Sequence, residues 1–159
     1  MMSGVIPSAF VLGAAGVAAL LLAVRRTPIA DRGRRHRASA VLAVAIVAQC
    51  LHFAEEAVTG FPDRLGDLLG LPAMPGSFFL AFNLMWIGLW IASIPAIRAG
   101  WTPGFFAAWF LAIAGTLNGI AHPLMALAGR GYFPGLLTSP LVAGVSIWLW
   151  VTLRRTTMP

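Results

Sequence analysis

Long apolar runs separated by short polar segments dominate the pattern of the chain. A helix needs about 20 apolar residues to cross the hydrocarbon core of a bilayer, and five runs are close to that length. The connecting segments are rich in Gly, Pro and Arg, which end helices or lie at the membrane interface. The pattern predicts an all-α, polytopic membrane bundle, with residues 1–159 forming one transmembrane helical domain. The predicted helices cover residues 5–24, 38–59, 77–97, 104–128 and 136–153.

The composition also favours a membrane protein. Hydrophobic residues make up 59% of the chain and charged residues only 10%, whereas a soluble domain is about 25% charged. All 11 basic residues are arginines, and most of them lie in short clusters between apolar runs. A nucleic-acid-binding protein would spread such residues over a soluble surface. We therefore expect the lipid bilayer, and no nucleic acid, as a partner.

The arginines also predict the orientation of the helices. If the N-terminus lies outside, nine of the 11 arginines fall on the inner side, and only Arg64 and Arg130 fall outside. Cytoplasmic segments of membrane proteins carry such an excess of positive charge. We therefore predict five spans, with the N-terminus outside and the C-terminus inside.

In this orientation, polar residues from several segments fall at similar depth near the outer ends of the helices. Ionisable groups within the hydrocarbon region are costly and are usually functional. The inner halves of the same helices contain few polar residues, which disfavours a transporter or a channel. The polar residues near the outer ends are His52, Glu55, Glu56, Asn83, Asn118, His122, Tyr132, Thr138 and Ser139.

The second helix and the fourth helix supply candidate metal ligands. His52, Glu55 and Glu56 share one helical face because they are three and four residues apart. A histidine and a carboxylate one turn apart can bind a metal ion, as the Glu-x-x-His pairs of di-iron bundles do in reverse order. With His122 as a fourth ligand, the set suits zinc, iron or manganese. The alternative is that the glutamates mark the membrane boundary and His52 is a packed core residue.

Four residues are candidates for direct roles in catalysis. Glu56 could activate water beside the metal instead of serving as a fourth ligand. Asn83, Asn118 and Tyr132 could hold or polarise a substrate. The alternative is that the two amides join helices through hydrogen bonds and that Tyr132 is an interfacial aromatic residue.

These residues resemble a known family. His52-Phe53-Ala54-Glu55-Glu56, the later His122 and Tyr132-Phe133-Pro134-Gly135 occur in the order of the HXXEE domain family of bacterial membrane proteins. The resemblance implies a small multi-helix membrane domain whose biochemical function is not established. It also implies that the histidines, the glutamates and Tyr132 belong to one site. With it we expect a multi-pass protein of the bacterial inner membrane.

Three functions remain open from the sequence. We favour a membrane-embedded, metal-dependent enzyme that acts on a lipidic or amphipathic substrate near the outer face, by hydrolysis rather than oxidation. The first alternative is a metal-free acid–base isomerase of a sterol-like or isoprenoid-like lipid. The second is a non-enzymatic subunit that binds a metal or cofactor within a membrane complex. A homo-oligomer or a partner membrane subunit is compatible with each.

Overall fold

The protein is a bundle of helices. The computed structural model describes residues 6–158, and the side chains from Phe10 onward. Two short strands, β1 (Thr27–Pro28) and β2 (Thr157–Met158), pair antiparallel. The helices are α1 (Ile6–Arg25), α2 (Arg32–Val58), α3 (Phe61–Leu69), α4 (Gly76–Ala99), α5 (Thr102–Ala128) and α6 (Ser139–Thr156).

The predicted all-α class is confirmed, and each predicted apolar run corresponds to a helix. The ends of the helices differ where local hydrogen bonds decide them. α2 begins at Arg32 rather than at residue 38, because the Asp31 carboxylate caps the helix by accepting from the Arg34 amide at 3.1 Å. Side-chain oxygens of this kind satisfy the free N–H groups of a first turn. α6 begins at Ser139 rather than at residue 136, since the preceding residues form turns.

The segment between α2 and α4 was predicted as a loop, and the structure shows a nine-residue helix there. α3 is amphipathic: Phe61, Leu65 and Leu69 lie at four-residue spacing on one face, while Asp63 and Asp67 lie elsewhere on the helix. Residues four apart share a helical face. The short length and the flanking Gly and Pro residues concealed this pattern in the sequence.

Three of the helices, α2, α4 and α5, are long and apolar enough to cross a membrane. The bundle also exposes large apolar side chains: Val47 is 62% exposed, Leu84 54% and Leu124 58%. Extended apolar surfaces of this kind mark contacts with membranes or other proteins. These features fit a membrane protein, while five spans and their direction stay predictions.

Four helices form a ring around the core. α2 packs against α4 and α6, and α5 packs against the same two helices from the opposite side, so α2 and α5 are diagonal. α1 lies outside this ring and packs against α5. Leu42, Trp109 and Leu149 are completely buried in this core. The diagonal pair carries both candidate histidines, which therefore approach each other across the bundle.

Small residues bring α5 and α6 close together. A Cβ atom added at Gly115 would collide with Ser146, and one added at Gly119 would collide with Ala143. Glycines four residues apart allow such close approach of membrane helices. The beginning of α6 is thereby held beside the part of α5 that carries His122.

Several arginine-bearing segments meet at the other end of the bundle. The Arg34 guanidinium donates to the Arg155 carbonyl at 3.2 Å, and that of Arg35 donates to the carbonyls of Arg98 and Ile29 at 3.2 and 2.8 Å. The pairing of β1 with β2 joins the same segments. Arginines that are far apart in the sequence therefore lie at one end, away from His52 and His122.

Candidate metal centre

His52, Glu56 and His122 converge in the interior of the bundle. Glu56 Oε1 lies 3.6 Å from His52 Nε2 and 3.4 Å from His122 Nε2. The two histidines are 0% and 2% exposed, and Glu56 is 7% exposed. The donor atoms of the three residues all lie within 4.8 Å of one another. Three metal-ligating side chains are thus gathered at one buried point.

The distances fit ligands arranged around a common ion. Zinc binds histidine nitrogen and carboxylate oxygen at about 2.0–2.1 Å, so two ligands at the corners of a tetrahedron lie about 3.3–3.4 Å apart. The observed separations of 3.4 and 3.6 Å are close to this value. They are longer than the roughly 2.7–3.2 Å of an N–H···O hydrogen bond.

A carbonyl group fixes the orientation of the His122 ring. His122 Nδ1 lies 2.6 Å from the Pro134 carbonyl oxygen. Because a carbonyl only accepts, Nδ1 must carry the proton and donate it. In the neutral ring Nε2 then presents its lone pair towards Glu56. Metal-binding histidines are commonly held in this way through their other nitrogen.

A relay of hydrogen bonds fixes the His52 ring. The Thr138 hydroxyl donates to Glu55 Oε2, since a carboxylate can only accept. The Thr138 oxygen lies 2.8 Å from His52 Nδ1, and its own proton is already engaged. It therefore accepts from Nδ1–H, which leaves the lone pair of His52 Nε2 directed towards Glu56.

In the described part of the chain, no hydrogen-bond donor faces the convergent atoms of His52, Glu56 and His122. The two Nε2 lone pairs and the Glu56 carboxylate are all acceptors in the neutral-imidazole tautomers derived above. His52 Nε2 is buried and has no hydrogen-bond partner among residues 6–158. Buried polar atoms without partners are rare in proteins and call for a physical explanation. A cation bound between the three side chains would satisfy all of them.

Glu55, which the sequence predicted as a metal ligand, is directed elsewhere. One carboxylate oxygen accepts from the Tyr132 hydroxyl at 2.6 Å and from the Leu137 amide at 3.0 Å. The other accepts from both the amide and the hydroxyl of Thr138. Glu55 does not belong to the group of convergent metal-ligating atoms. It holds the segment before α6, and through Thr138 it orients His52.

The Tyr-Phe-Pro-Gly segment packs directly on the site. Phe133 is buried and Pro134 supplies the carbonyl to His122. Gly135 adopts a φ of +86°, and a Cβ atom there would lie 2.5 Å from His122 Cε1 and 2.8 Å from His52 Cε1. Only glycine combines this backbone conformation with such close contact. The segment therefore closes one side of the imidazole pair.

Tyr132 contacts Glu55 and not the convergent donors. Partial burial, together with the hydrogen bond to Glu55, raises the pKa of the Tyr132 hydroxyl above its usual value. The group therefore stays protonated at neutral pH and remains a donor. The structure places Tyr132, predicted to contact substrate, where it supports Glu55, and leaves its side chain 43% exposed.

Both predicted asparagines line a cavity that reaches the site. The cavity has a volume of about 650 Å³, and its wall includes Glu56, His122, Asn83 and Asn118. The Asn83 amide donates to the Phe79 carbonyl of its own helix at 2.9 Å, so its amide oxygen remains available. The three buried metal-ligating side chains therefore lie beside a large cavity.

Several residues of the site were not singled out as site residues from the sequence. Gln49 lines the cavity as well. Thr138 was noted only as a polar residue on the same side, and its position at the start of a helix was the available signal. The carbonyl of Pro134 and the contacts of Gly135 depend on backbone geometry that no residue type reveals.

Comparison with known proteins places the chain in a family. No curated protein and no solved structure matches it. Residues 43–149, more than half of the chain, match the family model described as a protein of unknown function with HXXEE motif. His52 and Glu56 of that motif are two of the convergent side chains, and Glu55 is the carboxylate that orients His52 through Thr138. The chain belongs to the HXXEE family.

Proposed function

We propose that the protein is a membrane-embedded, metal-dependent enzyme that acts on a lipidic or amphipathic substrate near the outer face of the membrane. His52, Glu56 and His122 bind one divalent metal ion. The observation that carries the proposal is that three buried acceptor groups converge at one point. Two of them, the imidazoles of His52 and His122, are held in orientation by hydrogen bonds at Nδ1.

Two histidines and one carboxylate form a ligand set that leaves coordination positions open. Catalytic zinc sites use three protein ligands and keep the fourth position for water or substrate. The same set also suits ferrous iron, and manganese remains a third candidate. We favour hydrolysis, for which an ion held by His52, Glu56 and His122 would supply an activated water. Glu56 then acts as a ligand, and Glu55 as the support of His52.

The cavity supports a lipidic substrate. Its wall is mainly apolar, and Asn83 and Asn118 add amide groups near the donor cluster. In the proposal these amides orient the polar part of the substrate beside the metal. Tyr132 and Glu55 keep the segment before α6 in place and act on the substrate only through His52.

We further propose five membrane spans with the N-terminus outside, in the bacterial inner membrane. The meeting of Arg34, Arg35, Arg98 and Arg155 at one end supports a common inner side for these residues. Positive charge is concentrated on cytoplasmic sides. The metal site, at the other end of the bundle, then lies near the outer face.

An acid–base isomerase is the second candidate, and one observation favours it. Glu56 lies between two imidazoles at similar distances, 3.6 and 3.4 Å, which is an arrangement able to move a proton. One proton on Glu56 would satisfy only one of the two Nε2 atoms, whereas a metal ion would satisfy both. For this reason we favour the metal.

Lipid turnover separates the candidate functions. Detergent-purified protein, loaded in parallel with zinc, iron or manganese, is incubated with a total bacterial lipid extract that is then analysed by mass spectrometry. We expect two products that together equal one lipid plus one water. Chelation and His122→Ala should abolish them, and His36→Ala, at the arginine end, should not. A product of unchanged mass, insensitive to chelation, would instead favour the isomerase.

If the wild-type protein forms no product from the lipid extract, the result would contradict the proposal that it is an enzyme. Binding of metal without turnover, together with stable co-purification of other membrane proteins, would indicate the non-enzymatic subunit. A homo-oligomer is compatible with either result and is checked by the mass of the detergent-solubilised particle.

A further inference from the structure

The cavity runs along α4 and α5, from the metal site towards the arginine end of the bundle. On α5 its wall extends from Met125 to Phe106, which is 19 residues, or about 28 Å of helix at 1.5 Å per residue. On α4 it extends from Phe78 to Trp90, about 18 Å.

The surroundings of the cavity favour a lipid as the occupant. Large apolar side chains cover the outside of the bundle, among them Leu84 and Leu124, and a hydrocarbon chain is the slender apolar group that a membrane supplies. The length of the apolar wall suits a lipid chain that lies along α4 and α5.

The polar residues of the wall all lie in one half of the cavity, which also takes apolar side chains such as Phe61 from α3. Gln49 lies two turns before Glu56 on α2, and Asn118 lies one turn before His122 on α5. Asn83 lies in the first third of α4. The far part is formed by aromatic and small apolar side chains: Trp86, Trp90, Phe106, Phe110 and Ala114. This division matches an amphiphile whose polar end lies at Glu56 and His122 and whose hydrocarbon chain points towards the end of the bundle that carries the interacting arginines.

The cavity lies between two helices that face lipid. α1 and α4 both pack on α5, and the cavity wall takes residues from all three helices. On α1 the wall includes Gly13 and Gly16, and a Cβ atom added at either position would meet open space. Two glycines on this side widen the space between α1 and α4 through which a chain could enter from the bilayer.

We propose that the cavity binds the hydrocarbon chain of a lipid, which enters laterally between α1 and α4 and places its oxygen-bearing end at Glu56 and His122. The inference names the substrate class and so rests on the proposed function. The chain is either a fatty acyl or an isoprenoid chain, since apolar walls accept both.

Photo-crosslinking with two probes tests the inference and names the chain. Diazirine-bearing palmitic acid and diazirine-bearing farnesol are each added to purified protein, and labelled residues are identified by mass spectrometry. We expect one of the probes to label the far part of the cavity on α4 and α5. Labelling by neither probe, or labelling confined to the outer surface, would overturn the proposal.

Filling the cavity from α1 supplies a matched comparison. Gly16→Phe places a ring in the space, and binding of the probe should weaken roughly tenfold, as expected when one or two buried methylenes lose their place. Gly13→Phe serves as a second filled variant if Gly16→Phe unfolds. Gly88→Phe, on the exposed side of α4 with open space around it, should bind as wild type does. Equal binding by wild type and both filled variants would overturn the proposal.

The metal variant separates this inference from the proposed function. His52→Ala should lose the metal and keep probe binding, because the far part of the cavity is unchanged. If wild-type protein binds the probe and holds no metal, the chain-binding site stands and the metal enzyme fails. If it binds metal and no probe, the reverse holds.

Discussion

At the scale of single residues, the site is defined by which atoms carry protons. His122 donates to a carbonyl and His52 donates to Thr138, so both rings direct a lone pair to the same carboxylate. The helical spacing of His52 and Glu56 predicted their shared face. The spacing could not predict which of the two glutamates faces the histidines, because the hydrogen-bond donors that hold Glu55 lie 77 to 83 residues later in the chain.

Thr138 is the link between Glu55 and His52, and its hydroxyl should matter for metal affinity. In Thr138→Val, His52 Nδ1 loses its acceptor, and we expect metal affinity to fall about tenfold, the lower end of the effect of such supporting groups. Isothermal titration with zinc measures the change.

The matched control for this substitution is Thr152→Val. Thr152 is buried, and its hydroxyl bonds only to the Trp148 carbonyl of its own helix. Its loss should leave zinc affinity unchanged. Equal affinity of Thr138→Val and Thr152→Val would show that the relay does not orient a metal ligand.

At the scale of helices and loops, packing decided what hydrophobic pattern left open. The long apolar runs predicted the main helices because each has enough length to carry its own signal. α3 is nine residues long, too short for its period to stand out. The early start of α2 depends on a cap by Asp31, and the Gly115–Gly119 contact with α6 depends on which helices are neighbours.

The close approach of α5 to α6 should contribute measurably to stability. Gly119→Ala would press a methyl group against Ala143, and overpacking of this kind costs about 1–3 kcal/mol. We expect a lower midpoint of thermal unfolding in detergent, followed by circular dichroism. Gly88→Ala, where the added group meets open space, should unfold at the wild-type temperature or slightly above it. A Gly119→Ala midpoint equal to that of Gly88→Ala would contradict the packing account.

At the scale of the whole molecule, the candidate metal site and the interacting arginines lie at opposite ends of the bundle. The convergent donors lie at one end of the bundle and the interacting arginines at the other. The arginine count from the sequence predicted this separation. The diagonal placement of α2 and α5 was not predictable, because single-sequence patterns do not reveal which helices pack together.

The proposed orientation in the membrane can be measured by labelling. In a Cys50→Ser background, Asp67→Cys places a thiol on the exposed side of α3 and Arg154→Cys places one at the arginine end. A membrane-impermeant maleimide should label the first in spheroplasts and the second only after lysis. The opposite pattern would reverse the proposed sidedness and place the site near the inner face.

The central claim is that His52, Glu56 and His122 bind one metal ion, and elemental analysis tests it most directly. Wild type, His52→Ala and His36→Ala are purified in detergent under matched chelator washing, reloaded in parallel with zinc, iron or manganese, and analysed for metal. We predict about one zinc, iron or manganese ion per chain in wild type and in His36→Ala, as a single three-ligand site holds. His52→Ala should hold none while keeping its helical circular dichroism spectrum. Wild type without metal after reloading, or folded His52→Ala with an undiminished content, would contradict the account.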